Sequence, residues 1–116
     1  MGLFSADIKT MNDLYVHQLQ DIYYAEKQIV KALPKMAKTA EHPELRAAFE
    51  NHTAMTEEQV RRLETIFDDL NLPRRGKKCK GMEGLIEEGQ EMMEEDADPD
   101  VKDAALISAA QRVEHY

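Results

Sequence analysis

Tryptophan is absent from the sequence, and cysteine occurs only once, at Cys79. A single thiol excludes an intrachain disulfide and any zinc site built from several cysteines. Glycine occurs five times and proline four. No run of β-branched residues interrupts the pattern, so the composition favours helices throughout. No apolar stretch approaches the roughly 20 residues that a bilayer span needs. The opening MGLFSADIKT has too short an apolar run for a secretory signal. Ala6 stands where a myristoylation signal has Ser or Thr. These absences predict a cytoplasmic protein without a membrane partner. Positive charge is also scarce: 15 Lys and Arg face 23 Asp and Glu, for a net charge of −8. A field of that sign disfavours nucleic acid as a partner. Phosphate-loop, dinucleotide and HExxH signatures are missing too, and no residue can be assigned a catalytic role from a motif.

What is present fits one globular domain over residues 1–116, with 42% hydrophobic and 33% charged residues. Thr10 followed by Asp13 reads as a helix-starting capping box. The first helix is expected from there to about Ala40, with Met11, Tyr15, Ile22, Ala25, Ile29, Leu33 and Met36 on one face. Pro34 is expected to kink it. Pro43 fits the first position of a second helix. The very short turn at Glu41–His42 then makes the two helices an antiparallel hairpin. The second helix carries Leu45, Phe49, Leu63, Ile66, Phe67 and Leu70 on one face and ends at Asn71, Leu72 and Pro73. A third, shorter helix is expected over 82–95, with Met82, Leu85, Ile86, Gly89 and Met93 inward and five glutamates outward. Asp98 and Pro99 start a fourth, whose buried side is Leu106, Ile107, Ala109, Ala110 and Val113. Its pattern reaches Tyr116 with neither glycine nor proline to stop it, as if the chain were cut inside an element.

Two polar features interrupt these apolar faces. Glu26 stands among Ile22, Ile29, Val30 and Leu33, and His52, Thr56 and Gln59 occupy the middle of the second helix's stripe. In an antiparallel hairpin Glu26 and His52 can point into one layer. A buried carboxylate is costly unless it is paired or protonated. Glu26 therefore needs a cation, either protonated His52 or a metal shared with it. A hydrogen-bonded layer that fixes bundle register is the plainer reading. Arg74, Arg75, Lys77, Lys78 and Lys80 cluster between the second and third helices. They read as a solvated loop that offsets the preceding helix dipole, not as an anion site. Cys79 reads as structural or incidental.

Four blocks carry a resemblance over nearly the whole chain: LYVHQLQDIYYAEKQIVKALPKMAKTA, LRAAFENHTAMTEEQVRRLE, KCKGMEGLIEEGQE and VKDAALISAAQRVEHY. They resemble the YciE/YciF family of ferritin-like, stress-associated bacterial proteins. The resemblance implies a ferritin-like helical bundle, a homodimer, and a carboxylate/histidine di-metal site for iron or manganese in its core. It implies a role in metal or redox handling. It places metal ligands at Glu26, His52 and Glu114. It also implies that the domain is incomplete at its C-terminus, lacking a further acidic helix. Met55 stands where the family looks to have a glutamate, and a thioether is a poor ligand in an oxygen-rich site. Weak or no metal retention is therefore expected. The alternative is a non-catalytic assembly module whose polar layer only fixes register.

Overall fold

The computed structural model describes residues 8–116. The myristoylation and secretory readings at the N-terminus fall on residues outside that range. The described residues form four helices: α1 (Met11–Thr39), α2 (Pro43–Asp69), α3 (Lys80–Glu94) and α4 (Pro99–His115). Among the described residues there is no strand. The all-α expectation holds, and α3 starts two residues earlier than the pattern suggested.

Local chemistry sets the ends. Thr10 Oγ1 accepts the Asp13 N–H at 3.0 Å, and Asp13 Oδ2 accepts the Thr10 N–H at 3.1 Å. This reciprocal cap satisfies donors that a helix start leaves free. α1 continues as helix through Pro34, whose side chain lies on its exposed side. α2 closes with Asn71 at φ 55°. The Leu72 N–H reaches the Phe67 carbonyl at 2.8 Å and the Asn71 N–H reaches that of Asp68 at 3.0 Å. That is the Schellman arrangement, with asparagine in the left-handed position often taken by glycine.

The turn between α1 and α2 is clamped from two sides. Arg46 donates to the Ala37 and Ala40 carbonyls at 3.3 and 2.8 Å. Buried Asp103, from α4, accepts the backbone N–H groups of Glu41 and His42 at 2.9 and 2.8 Å. Those two bonds hold the Asp103 carboxyl below its ordinary value, the Glu41 N–H contributing most.

α1 and α2 form one hairpin, α3 and α4 a second, and α3 lies against α1. The main core draws on all four helices: Ile29, Leu33 and Met36 from α1, Phe49 from α2, Met82 from α3, and Leu106 and Val113 from α4. A second cluster, Leu19, Tyr23 and Phe67, closes the far end of the first hairpin. There Tyr23 meets Phe67 edge to face at 5.3 Å and donates its hydroxyl to Glu64 at 2.8 Å.

Three expected faces need correction. Met11, Tyr15 and Ile22 are exposed, while Leu19 and Tyr23 take the inner positions. Over its first turns α1 has α2 as its cover, so the buried stripe is narrower and rotated toward α2. Leu70 and Ile107 are exposed as well, at 46% and 43%. α4 packs chiefly on α3, where Gly89 meets Ala109.

Candidate functional site: a polar layer across three helices

Glu26 projects from α1, His52 from α2 and Glu114 from α4. His52 Nε2 lies 2.8 Å from Glu114 Oε1. At that separation the ring nitrogen facing the carboxylate must carry a proton. Glu26 Oε2 is buried and has no hydrogen-bond partner among the described residues. Burial pushes the Glu26 carboxyl up from its ordinary value, the nearby Glu114 carboxylate pushes it further, and His52 opposes both. The sequence pattern suggested that Glu26 and His52 pair. The geometry gives His52 to Glu114 instead, and leaves Glu26 as the group without a partner. The pairing turns on where α4 lies, and hairpin register alone carries no information about that.

The rest of the expected layer dissolves. Thr56 is buried, but its hydroxyl donates to the His52 carbonyl at 2.8 Å within α2. Gln59 is exposed. Met55 is 57% exposed, so it contributes nothing to the layer. A cleft of about 380 Å³ opens onto Glu26 and Glu114, lined also by Asp21, Ala25, Met82 and Tyr116. On the other side of Glu114 a groove of about 330 Å³ runs over Leu45, Phe49, Ile107 and Ala110 and ends at His52. The His52–Glu114 pair thus stands between two openings.

Two carboxylates and an imidazole are donors that Fe(II) and Mn(II) accept. Their present positions do not converge: among the described residues, no group of three or more His, Cys, Asp or Glu side chains is close enough to hold a metal ion. Ligation would require His52, Glu114 and Glu26 to turn toward one point.

Three of the basic loop's five cations have side-chain partners. Arg74 donates to both carboxylate oxygens of Asp68, at 3.0 and 2.6 Å, and lies 4.0 Å from Glu64. Lys78 lies 3.3 Å from Glu83, and Lys77 Nζ lies 3.0 Å from His17 Nε2. Cys79 is the N-cap residue of α3 and packs against the main core, its Sγ 3.2 Å from the Tyr116 hydroxyl. Two contacts escaped the pattern reading. Asp103 was detectable as an acid three residues before Leu106 on the inner stripe of α4. His17 carried no such signal, because its partner comes from 60 residues away.

Comparison with known proteins places this geometry in a family. The family described as "Domain of unknown function (DUF892)" matches residues 10–116. Protein YciF of Escherichia coli K12 is 43% identical over 111 residues, which cover 95% of this chain and 67% of that protein. The crystal structure of the E. coli stress protein YciF superposes with a TM-score of 0.87 at 44% identity, covering 94% of this chain and 69% of the other. YcfI from Rhodopseudomonas palustris gives a TM-score of 0.91 at 46% identity, covering 98% of this chain and 73% of the other. With a family match over residues 10–116 and that degree of identity, the chain belongs to the DUF892 family, which includes the E. coli stress protein YciF.

Proposed function

We propose that the chain is a ferritin-like stress protein whose Glu26, His52 and Glu114 bind a divalent cation of the iron or manganese class. One observation carries the reading: Glu26 Oε2 is buried without a partner, beside a second carboxylate that raises its proton affinity. A cation is the ligand that relieves both penalties together. Glu26 and Glu114 would supply hard anionic oxygens and His52 a neutral nitrogen. A bound metal of this class would supply redox chemistry toward iron or peroxide. Glu26 sets the charge of the layer, Ile22 and Ile29 flank it on α1, and His52 would have to give up its contact with Glu114 to serve as a ligand. Giving up that 2.8 Å contact would subtract from the affinity.

A second reading has its own support. His52 and Glu114 already satisfy each other, as they would in a non-catalytic assembly module whose layer fixes register. Homodimerisation suits either reading, since Ile107, Val101, Tyr15 and Ile22 are exposed apolar residues. A cytoplasmic setting fits the free thiol of Cys79. Nucleic acid is a poor partner, because the field is acidic and the basic loop's Arg74, Lys77 and Lys78 are engaged.

Titration with Mn(II) under thermal denaturation separates the readings. At 100 times its dissociation constant a ligand stabilises by about 2.7 kcal/mol. The cation reading expects a melting temperature that climbs with Mn(II) in the wild type and stays flat in Glu26→Gln. A flat wild-type titration through millimolar Mn(II) leaves the register reading standing.

A further inference from the structure

The segment 73–79 joins the two hairpins and is strapped to the side of α1. Its Lys77 N–H donates to the Gln20 carbonyl at 3.1 Å. Gly76 lies so close to α1 that a Cβ there would sit 3.0 Å from the Tyr24 Cα. A side chain there would press on the helix backbone, so glycine suits this close approach. The third fastening is the Lys77 ammonium, 3.0 Å from His17 Nε2.

That contact fixes the state of the imidazole. An ammonium group can only donate, so His17 Nε2 must be bare and accepting. The ring's single proton is then on Nδ1. Nδ1 is buried, with no hydrogen-bond partner among the described residues, and lies 4.0 Å from Asp21 Oδ2. A second proton can enter only at Nε2. There it replaces an acceptor with a donor and sets one positive charge against another. The same proton strengthens the pull of Asp21 on the other side of the ring. Of the other charged groups on these two elements, Asp13, one turn earlier on α1, is bound to the cap, Arg74 of the strap to Asp68 and Glu64 of α2, and Lys78 to Glu83 of α3, while Arg75 is exposed.

We infer that His17 is a proton-operated lock on this strap: the neutral ring holds Lys77 to α1, and the charged ring passes to Asp21 and lets it go. Imidazole is the side chain whose charge changes most readily with pH, so pH is the lever on this lock. Release would free residues 76 and 77 from α1, while Arg74 at one end and Cys79 at the other keep the strap anchored. Cys79 also lines the cleft that leads to Glu26 and Glu114. The lock itself does not depend on that cleft holding a metal.

The test is the hydrogen-exchange protection of the Lys77 amide, measured by NMR and corrected for the intrinsic rate at each pH. Protection is expected to fall about tenfold from pH 8 to pH 5 in the wild type, as a locally opening segment would show. His17→Gln keeps a neutral acceptor and should hold its protection at both pH values. Lys77→Met removes the ammonium that an imidazolium repels, so its protection should also lose the pH dependence, and this variant serves if His17→Gln does not fold. Equal protection at both pH values in the wild type overturns the inference. So does an undiminished fall in Lys77→Met.

Discussion

Replacing Glu26 by glutamine tests whether that carboxylate is an uncompensated charge. Glutamine keeps the shape and removes the charge. The folded-state Glu26 pKa is raised, so the native protein holds the Glu26 proton more tightly than the unfolded chain does. This contribution is fully present below the unfolded value of about 4.5 and is lost as pH rises through the folded value. At neutral pH Glu26 is therefore a liability in the metal-free protein. Leaving a buried polar group unsatisfied costs roughly 1–3 kcal/mol. Glu26 as a whole is only half-buried, so solvent screening brings the figure to about 1 kcal/mol. Metal-free Glu26→Gln should then melt roughly 4 °C above the wild type at pH 7. The gap should close as the pH approaches 4.5. Calorimetry after dialysis against chelator reads both quantities. A Glu26→Gln variant that melts below the wild type at pH 7 would show that Glu26 is already paired in the native state, and the argument for a cation would go with it.

Other perturbations probe the frame around the layer. Leu106 is fully buried among residues of all four helices. Leu106→Ala should cost about 3 kcal/mol in chemical denaturation, and a cost below about 1 kcal/mol would mean that α4 is loosely docked. Asp103→Asn should lower the melting temperature, because one oxygen that accepts a backbone N–H becomes a donor. The depressed Asp103 pKa adds a sign: its contribution is present above the unfolded value of 3.8 and is lost as pH falls through the lower folded value. Acid titration of the wild type should therefore show a loss that Asp103→Asn lacks. The groove over Leu45, Phe49, Ile107 and Ala110 should be covered in solution by a second copy of the chain. Sedimentation should find a dimer at micromolar concentration that Ile107→Glu dissociates, and a wild-type monomer would contradict it.

Helix boundaries were largely legible because their signals are local. Thr10 with Asp13, Pro43, Asn71 and Pro99 each act within a few residues, and each marks an end as expected. Faces were legible only where a second layer lies. Periodicity put Met11, Tyr15 and Ile22 on a stripe, but it cannot say how far a neighbouring helix extends over that stripe. Glu26 and His52 stood out as polar residues among apolar ones, and both do occupy the interhelical layer. Glu114 entered only through the family resemblance, and it is the residue that His52 holds. The clamp at Asp103 and the strap at Lys77 depend on contacts across about 60 positions, which no window of sequence contains.

The two readings of the layer make unequal demands on Glu26. A register device needs complementary groups on helices that must not slide, and His52 with Glu114 meets that need alone. Adding Glu26 weakens such a device. It places a second carboxylate near the first, raises its own proton affinity and satisfies no donor. A core of this size tolerates a cost on the order of 1 kcal/mol, but position 26 has a cheaper solution in glutamine or in any aliphatic residue that extends Ile22, Ile29 and Leu33. A cation-binding layer reverses the sign of each effect. Two nearby carboxylates become an attractive anionic pair, raised proton affinity becomes a reserve released on binding, and the missing donor becomes an open coordination site. That reversal makes a specific coupling: metal binding should expel a proton from Glu26. Mn(II) affinity should therefore rise with pH up to the folded Glu26 pKa and level off above it. In Glu26→Gln that pH dependence should vanish together with most of the affinity. Calorimetric titration in buffers of different ionisation enthalpy counts the proton directly, and binding without proton release just below that pKa would assign the metal to other ligands.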